Sequence, residues 1–444
     1  MKIMKAIKGL GILCLFVSAI LLTPLRHKEV SKPVVKLGID VLEERGFDIL
    51  QGKRIGILTN QAGVNSRGEL TWKILKNAPN VNLEVILAPV HGLKGQFMAY
   101  ETFYNDEIEG IPIYSVYASN SKPKDVWLRG LDAVVVDLQG IGIRCYNYWV
   151  FMVYTMVACF EKNIELIILD RPNPLGGHYV GGPIMESDNT SIWGPIEDMP
   201  LFHGLTIGEL AQFVQMSNRD IAARKRIETG VIFPGLSCSK EVLKKGKLTV
   251  VPMEGWKRSM LWQDTKLPWV QTSPNIANLQ SAYEFVFWEL GRLVSANHGL
   301  DNCSFLTIEI DWANSLPFHR FSSKFVISHR IIEFIYANCP GHPKGYTLTI
   351  NKRNKNIIEI NIKDIRKVSP GIFGLTLLAL SQKYSKFYSD SEENHSHLGA
   401  EIGDNELVEK ISSMEHINPQ YFKDKWHTSA LQFIEKTKSF HLYE

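Results

Sequence analysis

The stretch ELIILDRPNPLGG (165–177) decides the fold predicted for this chain. It starts with a short apolar run, and DRPNP (170–174) follows directly. An apolar run of this length that ends in Pro and Gly predicts a buried strand leading into a rigid loop. Because two prolines restrict the backbone, Asp170, Arg171 and Asn173 are held in one arrangement. The stretch therefore predicts a ligand site at the carboxyl edge of a sheet, although a proline-rich turn with solvated side chains fits the same pattern.

The apolar run at 166–169 is one of several that alternate with helical patterns. The other predicted strands cover 55–58, 83–88, 132–138 and 248–251, and the predicted helices cover 69–76, 146–162 and a segment that starts at Thr206. Nearly apolar strands that alternate with helices indicate a parallel sheet covered on both faces. We therefore predict an α/β fold with a Rossmann-like parallel-sheet domain over residues 37–290.

The pattern changes after about residue 295. Half-buried strands are predicted at 306–310, 347–350 and 357–362, helices at 373–382, 406–413 and 419–436, and a polar loop at 383–396. Strands and helices that do not alternate strictly predict a smaller α+β domain over residues 291–444.

Polar residues follow the predicted strands of the first domain. Asn60, His91, Gln139 and Asp170 each lie at or just after a strand's carboxyl end, and these ends meet at one edge of a parallel sheet. The segment 256–288 adds four tryptophans near a polar loop, which suits stacking on sugar rings, but ordinary core tryptophans fit equally well. The pattern predicts a binding site at this edge.

The N-terminus predicts export. Three lysines precede an apolar stretch at 9–22, which is the pattern of a secretory signal and is short for a transmembrane span. Residues 1–24 are therefore predicted to be a signal peptide or an inner-membrane anchor, with a buried N-terminal helix as the alternative. The protein would be periplasmic or extracellular. The formal net charge of +3, without a basic patch that interleaves aromatics, argues against nucleic-acid binding.

Other site types find little support in the sequence. The six cysteines form no C-x-x-C pair, so a zinc or redox site is not expected. QGIGIR (139–144) lacks the third glycine of a dinucleotide loop, which leaves a Rossmann-type nucleotide enzyme as a weak alternative. His91, His203 and His298 lack the spacing and the carboxylate pattern of a metal site. We expect no cofactor and no metal.

Several motifs occur in an order that resembles one known family, the NamZ-type exo-β-N-acetylmuramidases. These motifs are LTNQAGV (58–64), APVHGLKGQ (88–96), DLQGIGIRCYNY (137–148), DRPNPLGGHYVGGP (170–183), HGLTIGELA (203–211), VVPMEGWKRSM (250–260) and LPWVQTSPN (267–275). The resemblance covers residues 37–444 and is weakest between 290 and 400. It implies a Rossmann-like domain with a smaller C-terminal domain, and an activity that releases terminal N-acetylmuramic acid from the non-reducing end of peptidoglycan fragments.

The chain departs from the family pattern at acidic positions. The resemblance implies a glutamate before His-Gly, an Asp after Gln139 and a Glu before the Gly-Pro that follows the DRPNP loop, but the residues present are Val90, Gly140 and Gly181. Phe202 replaces an arginine, and the segment 295–300 replaces a family motif, S-E-G-R-G-T. Because glycoside cleavage usually requires two carboxyl groups, these departures predict either a binding protein or an enzyme with altered chemistry.

The candidate site combines the strand-end residues with those that the resemblance implies. The candidate catalytic residues are His91, Glu101 and Asp170. The candidate substrate-binding residues are Asn60, Asp137, Gln139, Arg144, Tyr146, Asn173, His203, Trp269 and Asn275. Glu101 could instead be a salt-bridge partner in its loop, and Asp170 a cap or turn former. Two functions stay open: a glycosidase acting on peptidoglycan fragments, or a non-catalytic muropeptide-binding protein, of unspecified oligomeric state.

Overall fold

The structure is a computed structural model and describes residues 34–228, 230–290, 307–311, 316–323, 326–384, 392–413 and 415–444. Its strands are β1 (Arg54–Thr59), β2 (Asn82–Ala88), β3 (Asp106–Ile108), β4 (Ile111–Ser115), β5 (Ala133–Asp137), β6 (Glu165–Leu169), β7 (Gly181–Ile184), β8 (Pro200–Phe202), β9 (Ile221–Ala223), β10 (Arg226–Glu228), β11 (Val231–Phe233), β12 (Leu236–Cys238), β13 (Leu248–Val251), β14 (Thr307–Asp311), β15 (Leu316–Ser322), β16 (Tyr346–Ile350) and β17 (Ile357–Ile362). Its α-helices are α1 (Gly38–Glu44), α2 (Thr71–Asn77), α3 (Asp125–Leu128), α4 (Tyr148–Phe160), α5 (Ile207–Met216), α6 (Lys240–Lys245), α7 (Leu279–Trp288), α8 (Ser328–Asn338), α9 (Pro370–Tyr384), α10 (Glu392–Ile402), α11 (Asn405–Ser412) and α12 (Pro419–Thr437).

A seven-stranded sheet in the order β13-β6-β5-β1-β2-β4-β3 forms the centre of the fold. All neighbours in it are parallel except the edge pair β3–β4. The chain builds the sheet outward from β1 in both directions, so the switch point of the sheet lies between β1 and β5. Thr59 and Asp137 are paired there, at the ends of the two strands. This arrangement confirms the predicted α/β fold and directs attention to the loops that follow β1 and β5.

Both faces of the central sheet are covered, which explains the nearly apolar strands. In β5, Val134 and Val136 pack in the cluster that contains α4 and α5. Ala133 and Val135 pack in the cluster on the other face, which contains Trp72 of α2. Since successive side chains of a strand point to opposite faces, a strand buried on both sides must be apolar throughout. Every residue of α4 is buried as well.

A second, antiparallel sheet in the order β14-β15-β17-β16 follows in the C-terminal part. It shares a core with α7 and α9, in which Trp288, Phe321 and Phe373 pack together. The same core includes Ile141 from the loop after β5 and Phe202 from β8. The observed helices and small sheet confirm a smaller region after the parallel sheet, while the proposed division at residue 290 stays a prediction.

One sequence expectation needs correction, and others concern residues that the structure does not describe. Part of the predicted polar loop at 383–396 is wrong, because α10 begins at Glu392 and buries Leu398. The predicted signal or anchor at 1–24, His298 and the segment 295–300 lie outside the described residues. Within the residues that are described, no helix is both long and apolar enough to cross a membrane.

Candidate functional site

Two neighbouring clefts open at the carboxyl edge of the central sheet. The first, which we call the Gly140 cleft, has a cavity volume of about 30 Å³ and is lined by the loops after β5 and β6 and by the segment that starts at His203. The second, the Trp262 cleft, has a cavity volume of about 10 Å³ and lies between the turn after β1 and residues 267–270. Gln139 and Arg171 line both clefts. Their position next to the switch point agrees with the usual ligand position in open α/β sheets.

An ion pair beneath the clefts joins β5 to the loop after β6. Arg171 binds Asp137 through two contacts, from Nε to Oδ1 at 2.5 Å and from Nη2 to Oδ2 at 2.9 Å. Thr71 donates to the same Oδ2 at 2.5 Å. Both residues are almost completely buried, so this two-point pair fixes the loop rigidly. Both carboxylate oxygens of Asp137 are thereby occupied within the protein.

Asp170 binds elements from distant parts of the chain. Its carboxylate accepts hydrogen bonds from the Thr206 hydroxyl at 2.8 Å, the Gly208 amide at 2.8 Å and the Tyr443 hydroxyl at 2.5 Å. Burial raises the pKa of Asp170 to about 6, although these donors act in the opposite direction. Asp170 thus connects β6 to the first turn of α5 and to the C-terminal segment. These contacts match the alternative role of a cap, and its side chain lines neither cleft.

Asn173 and Gln139 shape the boundary between the clefts. Asn173 accepts a hydrogen bond from the Leu175 amide and donates to the Leu205 carbonyl, so both ends of its side-chain amide are used. Gln139 donates to the carbonyls of Gly140 and Pro172 at 2.8 and 3.0 Å. Its Oε1 atom is buried and has no hydrogen-bond partner among the described residues. Gln139 therefore has a free acceptor at the point where the two clefts meet.

The two candidate histidines are held in opposite tautomers by backbone groups. His203 accepts a hydrogen bond from the Leu205 amide at Nδ1, so its proton must lie on Nε2. His91 has Nδ1 2.7 Å from the Phe97 carbonyl oxygen, which can only accept, so the Nδ1 of His91 carries the proton. Burial lowers the pKa of His203 to about 3 and lowers that of His91 as well. His203 lines the Gly140 cleft as a neutral N–H donor, whereas His91 lines neither cleft.

Tyr146 and Arg144 lie on the same loop but have different surroundings. Tyr146 lines the Gly140 cleft, and its hydroxyl donates to Thr272 Oγ1 at 2.7 Å. Burial raises the pKa of Tyr146 to about 12. The Arg144 guanidinium is fully buried and donates to four backbone carbonyls, those of Pro183, Met199, Glu401 and Ile402. Arg144 therefore holds the β7–β8 hairpin against the end of α10, away from both clefts.

The remaining predicted contacts, Asn60, Trp269 and Asn275, line neither cleft. Asn60 is buried, accepts from the Ala62 amide and lies beside the Tyr148 hydroxyl. Trp269 is half-buried and meets Trp262 edge to face, with ring centroids 5.0 Å apart. Trp256 and Trp288 are buried core residues, so the core interpretation holds for these two, whereas Trp262 is buried and also lines the Trp262 cleft.

Several buried polar atoms lack hydrogen-bond partners among the described residues, and two of them, on Gln139 and Trp262, belong to residues that line a cleft. Among them are three amide oxygens and two indole nitrogens: Gln61 Oε1, Gln139 Oε1, Asn275 Oδ1, Trp262 Nε1 and Trp269 Nε1. A buried polar atom without a partner is costly, so native proteins pair nearly all of them with protein, water or ligand. The Gln139 oxygen and the Trp262 nitrogen therefore fit a ligand that offers a hydroxyl donor and an acceptor oxygen.

The positions of the replaced acids differ in their surroundings. Val90 is buried, with 6% of its surface exposed. A Cβ atom added at Gly140 or at Gly181 would meet nothing within 4 Å, so both positions face open space. Phe202 is buried and pairs with Ile143 and with Gly181 across β8. The two glycines thus leave free volume where the resemblance implies carboxylates.

Neither cleft has a carboxylate in its lining, as far as the described residues show. Glu101 is exposed on the loop after β2, where it accepts a hydrogen bond from the Met98 amide and forms no ion pair with a described residue. The predicted set of three catalytic residues is therefore not brought together in either cleft. No group of three metal-ligating side chains occurs among the described residues.

Three residues outside the predicted list also build the site. Gln61 donates to the carbonyls of Gln271 and Thr272, which joins the turn after β1 to the segment 267–275. Arg171 and Trp262 line the clefts directly. Gln61 follows Asn60 at a strand end, so the strand-end pattern could have included it. The pairing of Arg171 with Asp137 had no signal in the local sequence.

Comparisons with known proteins agree with this geometry. The profile described as "Exo-beta-N-acetylmuramidase NamZ, N-terminal" matches residues 55–280. The chain is 32% identical to the peptidoglycan β-N-acetylmuramidase NamZ of Bacillus subtilis strain 168 over 362 residues, which cover 80% of this chain and 78% of that protein. Among solved structures, it resembles a DUF1343 family protein of Bacteroides fragilis with a TM-score of 0.74 and 28% identity, over 92% of this chain and 99% of the other. A second such protein from B. fragilis, at 22% identity and a TM-score of 0.59, covers the same shares and shares the fold.

Proposed function

The chain belongs to the NamZ exo-β-N-acetylmuramidase family, and from this premise we propose that it binds the terminal N-acetylmuramic acid of peptidoglycan fragments without hydrolysing it. The main observation behind the proposal is that the described residues lining the clefts include unpaired polar atoms but no carboxylate. The clefts offer unpaired amide and indole groups for a sugar, yet their described lining contains no Asp or Glu. Binding groups are therefore present where the groups for acid catalysis are absent.

The polar groups match the chemistry of an acetylated amino sugar. The amide oxygen of Gln139, which lines both clefts, accepts a hydrogen bond from a sugar hydroxyl or from the acetamido N–H. The Nε2–H of His203 donates to a sugar oxygen from the other side of the Gly140 cleft. The Trp262 side chain, which lines the Trp262 cleft, provides apolar surface beside these groups. Together they recognise a ring that has both polar and apolar sides.

Hydrolysis would require a proton donor near the leaving oxygen. Even where the acetamido group of the substrate replaces the protein nucleophile, an acid is still needed. Tyr146, with a pKa raised to about 12, and His203, with a pKa lowered to about 3, are both poor acids near neutral pH. Asp137 and Asp170 are bonded within the protein. The site thus retains binding groups and lacks a suitable acid.

A second candidate function is slow hydrolysis with Glu101 as the acid. The observation in its favour is that the Glu101 carboxylate is exposed and forms no ion pair with a described residue, on the same loop as His91. A movement of this loop toward the Gly140 cleft would then be required. The variant Glu101→Gln separates the two functions, because it abolishes turnover only in the second.

Calorimetric titration with the disaccharide MurNAc-β-1,4-GlcNAc tests the proposal. We expect saturable binding that weakens about 10-fold or more in Gln139→Ala, which removes an unpaired acceptor at the meeting point of the clefts. Lys352→Ala, an exposed substitution in the turn after β16, is the matched control and leaves the affinity unchanged. The reversed disaccharide GlcNAc-β-1,4-MurNAc should bind weakly. Equal affinity for both disaccharides would contradict recognition of the muramic acid end.

We also propose that the protein is exported to the periplasm or the cell exterior, because residues 1–24 have a charged start followed by an apolar stretch. Export places the site where peptidoglycan fragments occur. A fusion of residues 1–30 to a phosphatase that is active only outside the cytoplasm tests this proposal. An inactive fusion that accumulates in the cytoplasm would contradict it.

A further inference from the structure

A third and larger cavity lies on the other side of the β7–β8 hairpin. We call it the Tyr179 groove; it has a cavity volume of about 310 Å³ and lies between the start of β7, the start of α9 and one face of α12. Tyr179, Gly181 and Gly371 line it from β7 and α9, and Lys423, Asp424 and His427 line it from α12. The volume lies within the range of roughly 300–1,000 Å³ that is usual for small-ligand sites. None of the functions proposed above uses this groove.

The walls of the groove are fixed by internal contacts. The Tyr179 hydroxyl interacts with the Ser369 side chain and the Gly371 backbone, and the Tyr179 ring packs on Phe202 at 5.1 Å between centroids. Trp426 donates from its indole nitrogen to Asp404 at 2.9 Å. A Cβ atom at Gly371 would lie 3.5 Å from the Trp426 ring, so α9 and α12 approach closely at this glycine. The groove is therefore a shaped cavity.

The charged residues of the groove are available to a ligand. Lys423 and His427 are exposed and lie one helical turn apart on α12, and neither has a hydrogen-bond or ion-pair partner among the described residues. Neighbouring lysines of α12 are engaged: Lys425 pairs with Asp404 and Glu406. The carboxylate of Asp424 accepts only from Gln420 at 2.8 Å in the described chain. The groove thus presents two nitrogen donors and one carboxylate.

The Tyr179 groove lies next to the proposed sugar site. Phe202 pairs with Gly181, which lines the groove, and with Ile143, which lines the Gly140 cleft. His203 follows Phe202 directly and lines that cleft. Neighbouring strands are about 4.8 Å apart, so the two spaces are separated by roughly 10 Å of protein. A ligand that is longer than one sugar ring can span this distance.

We propose that the Tyr179 groove binds the peptide that is attached to muramic acid in a muropeptide. The carboxylates of such a peptide can accept hydrogen bonds from Lys423 and His427, and its amino group can pair with the carboxylate of Asp424. Open glycine positions leave room for the peptide backbone, since a Cβ atom at Gly181 would meet nothing within 4 Å. This inference rests on the proposed binding of muramic acid and extends it to ligands that retain their peptide. A separate peptide without sugar has the same chemistry and is distinguished by the test.

The test compares three probes by calorimetry: MurNAc-GlcNAc, the same disaccharide carrying L-Ala-γ-D-Glu-diaminopimelate, and the free tripeptide. We expect the tripeptide-bearing disaccharide to bind about 5- to 30-fold more tightly than the bare disaccharide. This difference should disappear in the double variant Lys423→Ala/His427→Ala and persist in the control Lys352→Ala. Binding of the bare disaccharide should be the same in all three proteins, which shows that the double variant is folded.

The other outcomes separate the two proposals. If the tripeptide does not improve binding, or if the improvement persists in the double variant, the groove is not the peptide site. If the bare disaccharide does not bind but the free tripeptide binds in a manner that depends on Lys423 and His427, the sugar proposal fails and the peptide site stands. Binding of the free tripeptide as tight as that of the full muropeptide would assign the groove to peptides without sugar.

Discussion

The Tyr443 hydroxyl donates a hydrogen bond to Oδ2 of Asp170 at 2.5 Å, although 273 residues separate the two in sequence. The same hydroxyl accepts from the Met253 amide, and Leu442 donates from its amide to Glu209. The penultimate residue of the chain is therefore part of the support beneath the DRPNP loop. The C-terminal segment and the sheet edge form one structural unit around Asp170.

Tyr443→Phe should destabilise the protein by about 1–3 kcal/mol, because it leaves the buried Asp170 carboxylate without one of its donors. Urea denaturation of the variant measures the loss. Tyr421→Phe is the matched control, since the Tyr421 hydroxyl bonds Glu406 at the surface, and it should cost less than about 0.5 kcal/mol. Equal losses in the two variants would contradict the supporting role of Tyr443.

The effect of Tyr443→Phe should also depend on pH. In the folded protein the pKa of Asp170 is raised from 3.8 to about 6. Between pH 3.8 and about pH 6 the folded protein therefore keeps a proton on Asp170 that the unfolded chain has released. Stability from this proton is present below about pH 4 and is lost as the pH rises through 6, by about 3 kcal/mol. Because Tyr443 stabilises the ionised carboxylate, its loss should cost more at pH 7.5 than at pH 4.5. Denaturation midpoints of the wild type and of Tyr443→Phe at pH 4.5 and pH 7.5 measure this difference. A loss of stability that is equal at the two pH values, or greater at pH 4.5, would contradict the prediction.

Asp137→Asn should lower the free energy of unfolding by about 3–5 kcal/mol, because the substitution leaves the buried Arg171 without its counter-charge. Glu44→Gln breaks an exposed pair with Lys36 and should cost less than about 1 kcal/mol. Chemical denaturation of both variants gives the comparison. A small effect at Asp137 would mean that the ion pair does not hold the loop.

Two glycines on the loop after β5 should respond differently to alanine. Gly140 has open space at its Cβ position, so Gly140→Ala should change the melting temperature little. Gly142 has φ of +86°, and a Cβ atom there would lie 2.3 Å from Asn173 Oδ1. Gly142→Ala should therefore cost about 1–3 kcal/mol. Thermal melts that rank the two variants in the opposite order would contradict the described loop geometry.

The sequence predicted the strands and loops at the sheet edge better than it predicted which side chains contact each other there. The strand before Asp170 and the loop after it follow from local apolar runs and prolines, and the structure confirms both. The partners of Asp170 come from Thr206, Gly208 and Tyr443, and no local pattern indicates such distant contacts. Arg144 shows the same limit, because the carbonyls that it binds lie up to 258 residues away. Periodicity predicts elements, whereas side-chain partners depend on how the elements pack.

His203→Ala should weaken binding of MurNAc-GlcNAc about 5- to 100-fold, because the cleft loses a neutral N–H donor. With a pKa lowered to about 3, His203 keeps the same protonation state between pH 5 and 8. The contribution of this residue to the affinity should therefore be constant across that range. His329→Ala, an exposed substitution on α8, is the control. A loss that appears only below pH 6.5 would show that a charged His203 is the binding form.

The most direct measurement is product analysis by mass spectrometry after incubation of the purified protein with MurNAc-GlcNAc at a concentration that saturates binding. We expect intact disaccharide over many hours in the wild type and in Glu101→Gln, because no described residue of the clefts can protonate the leaving oxygen near neutral pH. The double variant Val90→Glu/Gly140→Asp, which returns two carboxylates to the sheet edge, is the companion sample in which release of free MurNAc is expected. Free MurNAc from the wild-type protein, lost in Glu101→Gln, would contradict the binding-only account and establish hydrolysis at this site.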